Sequence, residues 1–160
     1  MLSVYLICVG KLKEQFYKDA CAEYMKRLSS YCKLTLVELP EAKLSKDPTL
    51  GEITNALEKE GDAIRAKIPP SARVAALCVE GRMRSSEELS QMFPVPGHSP
   101  DKHMVFIIGG SYGLHPSIKA EANVQLSMSP MTFPHHLARV MLLEQIYRAF
   151  KINEGSSYHK

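Results

Sequence analysis

Met104-Val105-Phe106-Ile107-Ile108-Gly109-Gly110-Ser111-Tyr112-Gly113 is a run of five apolar residues broken by a glycine-rich turn. An apolar run this short, closed by glycines, reads as a strand buried on both faces rather than as a helix. The pattern repeats after a short helical piece: Val124-Gln125-Leu126-Ser127, then a break over Met128 to Phe133. Pro134 opens a long helix, His135 to Phe150, as proline does at a first helical turn. Strand, glycine turn, strand, small-residue loop and helix is the order of an open α/β sheet, which places ligands just beyond its strand ends.

The chain before this stretch follows the same rule. Leu2 to Val9 is a continuous apolar strand ending at Gly10, and a helix over Glu14 to Tyr31 repeats Phe16, Ala20, Tyr24 and Leu28 at four-residue intervals. Lys33 to Leu39 reads as the second strand, and the charged segment Glu41 to Pro48 as a mobile loop. Thr49 and Glu52 have capping-box spacing for a helix with an apolar stripe of Leu50, Ile53, Leu57 and Ile64, although Asp47 before Pro48 is an equally good N-cap. Arg73 to Val79 is the third strand, closed by Glu80-Gly81. Ser85 and Glu88 form a second capping box, and the proline-rich Phe93 to Lys102 reads as a surface loop. Strands alternating with helices predict one α/β domain over residues 1–160, its parallel sheet covered by helices on both faces.

Composition narrows the class. The chain has 160 residues, 45% hydrophobic and 23% charged, enough for one real core and ordinary for a soluble domain. Cys8, Cys21, Cys32 and Cys78 show no C-x-x-C spacing, so they read as free thiols in a reducing cytoplasm. The apolar start lacks a basic leader and is too short to span a membrane, so it reads as a strand. A net charge of +3 permits an RNA partner without arguing for one.

The Gly109 to Gly113 segment is neither the G-x-G-x-x-G fingerprint nor a P-loop. It reads either as a tight strand-to-helix turn or as a place where main chain approaches a ligand, with Gly109 keeping side-chain bulk out of a pocket. The loop Met128-Ser129-Pro130-Met131-Thr132-Phe133 reads either as a connector whose Thr132 caps the last helix or as a wall that hydrogen-bonds a flat ring through its main chain. His135 and His136 are adjacent and point to different sides of a helix, and no other ligand has useful spacing, so no metal site is expected. In the last helix Leu137, Val140, Met141, Leu142, Leu143, Ile146, Tyr147 and Phe150 leave almost no polar face. Part of that surface, including Leu142 and Ile146, is expected to meet a second subunit, and Arg139, Glu144 and Arg148 need partners there. The ending Tyr158-His159-Lys160 is either a frayed terminus or a group that stacks on a base and contacts phosphate.

Taken together, Val9-Gly10-Lys11-Leu12-Lys13, Ile107 to Leu114, Met131-Thr132-Phe133-Pro134-His135 and Tyr158-His159-Lys160 resemble the RlmH family of SPOUT-class RNA methyltransferases, in matching order along the whole chain. The resemblance implies a C-terminal trefoil knot, a rare exception to unthreaded folds, and a homodimer. It implies S-adenosyl-L-methionine as cofactor and methylation of N3 of a pseudouridine in large-subunit (23S) ribosomal RNA, within an assembled ribosome. Carried over by position, Leu77, Gly109, Gly110, Met128, Ser129, Pro130, Met131, Thr132 and Phe133 would contact the cofactor. Arg139, Tyr158 and His159 are the candidates for catalysis. The alternative is a non-catalytic ribosome-binding factor on the same fold, which would not need these loops intact.

Overall fold

The computed structural model describes residues Met1–Lys160. Its elements run β1 (Leu2–Val9), α1 (Gln15–Leu28), β2 (Cys32–Leu39), α2 (Leu50–Arg65), β3 (Ala72–Met83), α3 (Ser86–Gln91), β4 (His103–Ile108), α4 (Pro116–Glu121), β5 (Val124–Ser127) and α5 (His135–Asn153). All five strands are parallel, in the order β2-β1-β4-β3-β5.

Strand pleating divides the core into two layers, because successive side chains point to opposite faces. Val4, Leu6, Cys8, Met104, Phe106 and Ile108 meet Leu28 of α1, Leu89 of α3, and Leu142, Leu143, Ile146 and Ala149 of α5. Ile7, Val9, Val105 and Ile107 meet Ile64 of α2 and Ile118 of α4 on the other side. A fully buried large side chain such as Phe106 contributes about 1.5–3 kcal/mol. Both capping boxes form as the spacing predicts: Thr49 Oγ1 accepts from the Glu52 amide at 3.1 Å, and Ser85 Oγ from the Glu88 amide at 3.1 Å.

Several expectations change in detail. The third strand does not stop at Val79: it runs on to Met83 around a bulge, with Leu77 and Arg82 both opposite Leu126. Gly81 makes the bulge possible, because a Cβ there would lie 2.7 Å from the Gln125 carbonyl oxygen. The α1 stripe keeps Leu28 and Tyr24 against the core but loses its first member. Phe16 is 64% exposed, and Cys21 and Leu28 are the residues buried. In α2, Leu50 lies outside the core and Ala56, Glu60, Gly61 and Ile64 face inward. The Glu60 carboxylate is tucked beneath the charged loop and accepts from the Ala42 amide at 2.8 Å. That bond, with Glu41 holding the Ser111 amide, ties down a segment read as mobile. The surface loop after α3 begins with Met92, Phe93 and Pro94 buried.

The largest correction concerns α5. Leu142 and Ile146 are completely buried within the protomer, so they cannot be the residues offered to a second subunit. The helix is apolar nearly all round because it lies in a trough between α1, α3 and the sheet. Its charged residues find partners inside the chain: Arg139 with Glu38, and Arg148 with Glu144.

Candidate functional site

A cavity of about 590 Å³ opens beyond the C-terminal ends of β4, β3 and β5, the three neighbouring strands at one side of the sheet. The volume is that of a small-molecule site. Apolar walls come from Leu77, Ile108, Leu114, Leu126 and Phe133. The β3 bulge brings Cys78, Val79 and Glu80 to the rim, and the first turn of α5 contributes His135 and Ala138.

The loop over residues 128–133 forms one side, and its main chain is almost free. No backbone–backbone hydrogen bond involves any of its residues. Only the Met131 amide, which donates to Ser129 Oγ at 3.0 Å, and the Ser129 carbonyl, which accepts from Ser127 Oγ at 3.0 Å, are engaged by side chains. Main-chain groups need partners, so the remaining groups of Met128, Thr132 and Phe133 are available to a ligand.

The glycine loop opposite is a built turn. A Cβ on Gly109 would collide with the backbone of Gly113, and one on Gly110 would lie 2.7 Å from Glu41 Oε1. Gly113 itself has φ of +77°, a left-handed conformation suited to glycine. The bareness of Gly109 therefore serves the turn and not the pocket directly, which corrects the expected direction of its side chain. Gly109→Val should still lower affinity for the cavity's ligand at least tenfold, about 1.4 kcal/mol, by rebuilding the loop. Circular dichroism with calorimetry checks this; a folded variant with unchanged affinity would remove the glycine loop from the site.

Electrostatically the cavity is close to neutral. Its two charged residues, Glu80 and Lys119, are paired with each other, and the Lys119 hydrogen bond holds the Glu80 carboxyl below its ordinary range. Burial, helped by neighbouring His136 and Arg139, lowers the His135 imidazole below its usual value, with Glu41 opposing. Burial thus disfavours the charged imidazole at His135. Burial raises the Cys78 thiol, so it is no thiolate nucleophile.

Leu77, Gly109, Gly110, Met128, Ser129, Met131, Thr132 and Phe133 all line the cavity. Pro130 is exposed and does not. Arg139 lies behind the site with its side chain 2% exposed, its Nη1 donating to Glu38 Oε2 at 2.7 Å and its Nη2 to the Gly10 carbonyl at 3.1 Å. Tyr158 and His159 pack against the second half of α5 and the start of α3, away from the cavity of their own chain. The loops read as converging, at Glu80-Gly81 and at Gly109 to Gly113, bring Glu80 and Tyr112 to the lining, whereas sequence reasoning missed His135 and Lys119. His135 directly follows the 128–133 loop and could have been found; Lys119 carries no local signal. No group of three or more His, Cys, Asp or Glu is placed to hold a metal ion, and no helix is long and apolar enough to cross a membrane.

The sequence matches, over residues 2–159, a family model described as "Predicted SPOUT methyltransferase". The chain belongs to the SPOUT methyltransferase family. Among solved structures, this SPOUT chain is similar to the SpoU methyltransferase AviRb from Streptomyces viridochromogenes, determined in complex with AdoMet, at 12% identity and a TM-score of 0.44. The match covers 97% of the SPOUT chain and 58% of AviRb, so the chain spans little more than half the length of that protein.

Proposed function

We propose that the protein transfers a methyl group from S-adenosyl-L-methionine to N3 of a pseudouridine in 23S ribosomal RNA, acting as a homodimer on the assembled ribosome. The observation that carries the reading is the near-neutral, apolar-walled cavity bordered by the unbonded main chain of residues 128–133. A polyphosphate would want free cations, and the one lysine here is already matched by Glu80. A flat adenine, whose edge needs amides and carbonyls and whose faces need apolar walls, fits what is present. The same reading includes the knotted C-terminal passage.

When bound, the cofactor supplies an electrophilic methyl group on sulfur. The protein's part is mostly positioning, which can account for a large share of such a barrier. Main-chain groups of Met128, Thr132 and Phe133 would hold the ring, Leu77 and Leu126 would exclude water, and His135, whose charged form burial disfavours, would add little positive charge near a sulfonium. The attacking imide nitrogen must lose its proton. Tyr158 and His159 are the side chains we assign to that end of the reaction, reaching the cavity from a second subunit. Arg139 anchors the first turn of α5 from behind. On the free side of that helix Leu137 and Met141 are half-buried and lie outside the core cluster; they take the place of Leu142 and Ile146 as the contact surface.

Calorimetry and a methyl-transfer assay test the reading together. S-adenosylmethionine should bind one site per chain while ATP does not, and ribosomes should gain N3-methylpseudouridine detectable by mass spectrometry. Cofactor binding without transfer to any ribosomal RNA would favour the non-catalytic factor. Tight ATP binding would sink the proposal.

A further inference from the structure

The most exposed aromatic ring in the protein lies on the same edge of the sheet as the cavity. Phe16 is 64% exposed in the first turn of α1, where the core has no use for it. Its ring lies 4.3 Å from that of Tyr17, tilted by 47°. Tyr17 meets the His136 ring at 6.0 Å, and His136 meets His135 at 4.1 Å. His135 lines the cavity. Four rings therefore lead from solvent to the pocket wall.

The segment that carries Phe16 and Tyr17 is basic. Residues 11–18 hold Lys11, Lys13 and Lys18 against Glu14 alone, a net of +2. All three lysines are exposed. Of the acids nearby, Glu14 faces His136 within the line at 3.8 Å and Glu41 beside Gly10 holds the Ser111 amide, while Asp19 accepts from Gln15 at 2.8 Å and Glu23 pairs with Arg27 at 3.0 Å. Lys11 and Lys13 follow Gly10, where a Cβ would sit 3.7 Å from His135 Nε2, so the lysine-bearing turn adjoins the end of the ring series at the cavity.

We propose that Phe16, Tyr17 and His136, flanked by Lys11, Lys13 and Lys18, form a docking track for single-stranded RNA leading into the cavity. It rests on the RNA-methylating reading above and adds the surface by which the strand arrives. A ring between lysines suits a nucleotide, whose base stacks while its phosphates take the ammonium groups, and such stacking tolerates any base. A protein partner would want contiguous apolar surface, and here one exposed ring stands among cations.

The test is fluorescence anisotropy with a labelled oligouridine RNA, titrated at several potassium chloride concentrations. Phe16→Ala should weaken binding about tenfold with the salt dependence unchanged. Replacing Lys11, Lys13 and Lys18 together by alanine should lower the slope of log affinity against log salt by about two. S-adenosylmethionine affinity and sedimentation should be those of the unaltered protein in both variants. If the unaltered protein binds the RNA and both variants bind it equally, with the same salt slope, the track is wrong while the RNA reading stands. If the unaltered protein binds no RNA, both fall. If Phe16→Ala changes sedimentation but not RNA affinity, the ring belongs to an interface between subunits and the proposal is overturned.

Discussion

Removal of Tyr158, His159 and Lys160 is expected to leave S-adenosylmethionine affinity within a few-fold and to nearly abolish methyl transfer to ribosomes. None of the three residues lines the cavity, so the cofactor should not notice their loss. They are nevertheless placed with care. The Tyr158 ring meets Tyr147 edge-on at 5.1 Å, its hydroxyl donates to Glu144 at 2.9 Å, and the Arg148 guanidinium lies 4.7 Å over its face. His159 bridges Arg148 at 3.2 Å and Glu87 at 2.7 Å, and its hydrogen bond holds the Glu87 carboxyl below its ordinary range. A frayed terminus makes no such contacts. Tyr147 lies nine residues beyond Ala138 on α5, about 13 Å along the helix, so this tail is remote from its own cavity, and under the proposed function it reaches a partner's.

Mixing subunits separates that arrangement from a purely structural tail. A truncated chain with an intact cavity, combined with a full chain carrying Gly109→Val, should regain transfer, because one composite site per dimer is then complete. Failure to regain activity in a mixture shown to form heterodimers would mean that the tail acts within its own chain. His159→Ala guards against misfolding, since it keeps the Tyr158 stacking, and it should show most of the same loss. A truncated protein that transfers at the full rate would end the argument.

What could be read in the sequence was whatever local chemistry decides. The strands β1 and β5 end where apolar runs meet Gly10 and Met128, and both capping boxes follow from two residues three apart. The loops around the cavity were legible because sheet topology puts them on one edge. What depended on tertiary packing was not. Phe16 and Leu50 continue the periodicity of their helices, but each lies in the first turn, beyond the reach of the sheet. The β3 bulge needs Gly81 to pass the Gln125 carbonyl, a neighbour 44 positions away that no local pattern announces. The apolar breadth of α5 was read as burial on several sides; α1, α3 and the sheet supply the sides that hold Leu142 and Ile146, the two residues that had been offered to a second subunit.

The largest stability effect is expected at a residue outside the cavity. Glu38→Ala should destabilise the protein by about 3–5 kcal/mol, a fall in Tm on the order of 10 °C. Arg139 is almost fully buried, and Glu38 is its one carboxylate partner. Without it, a guanidinium would remain in the core with the Gly10 carbonyl as its remaining acceptor, and a buried unpaired charge costs far more than the pair contributes. Converting both residues to apolar ones of similar size, Glu38→Leu with Arg139→Met, should recover most of the loss for the same reason. The double variant also decides what Arg139 does. Its guanidinium joins the ends of β1 and β2 to the start of α5, next to Ala138 and one turn from His135 at the cavity, so we expect S-adenosylmethionine affinity and methyl transfer to return together with stability. A double variant that is folded and binds cofactor but transfers nothing would show instead that the charge itself takes part in the reaction.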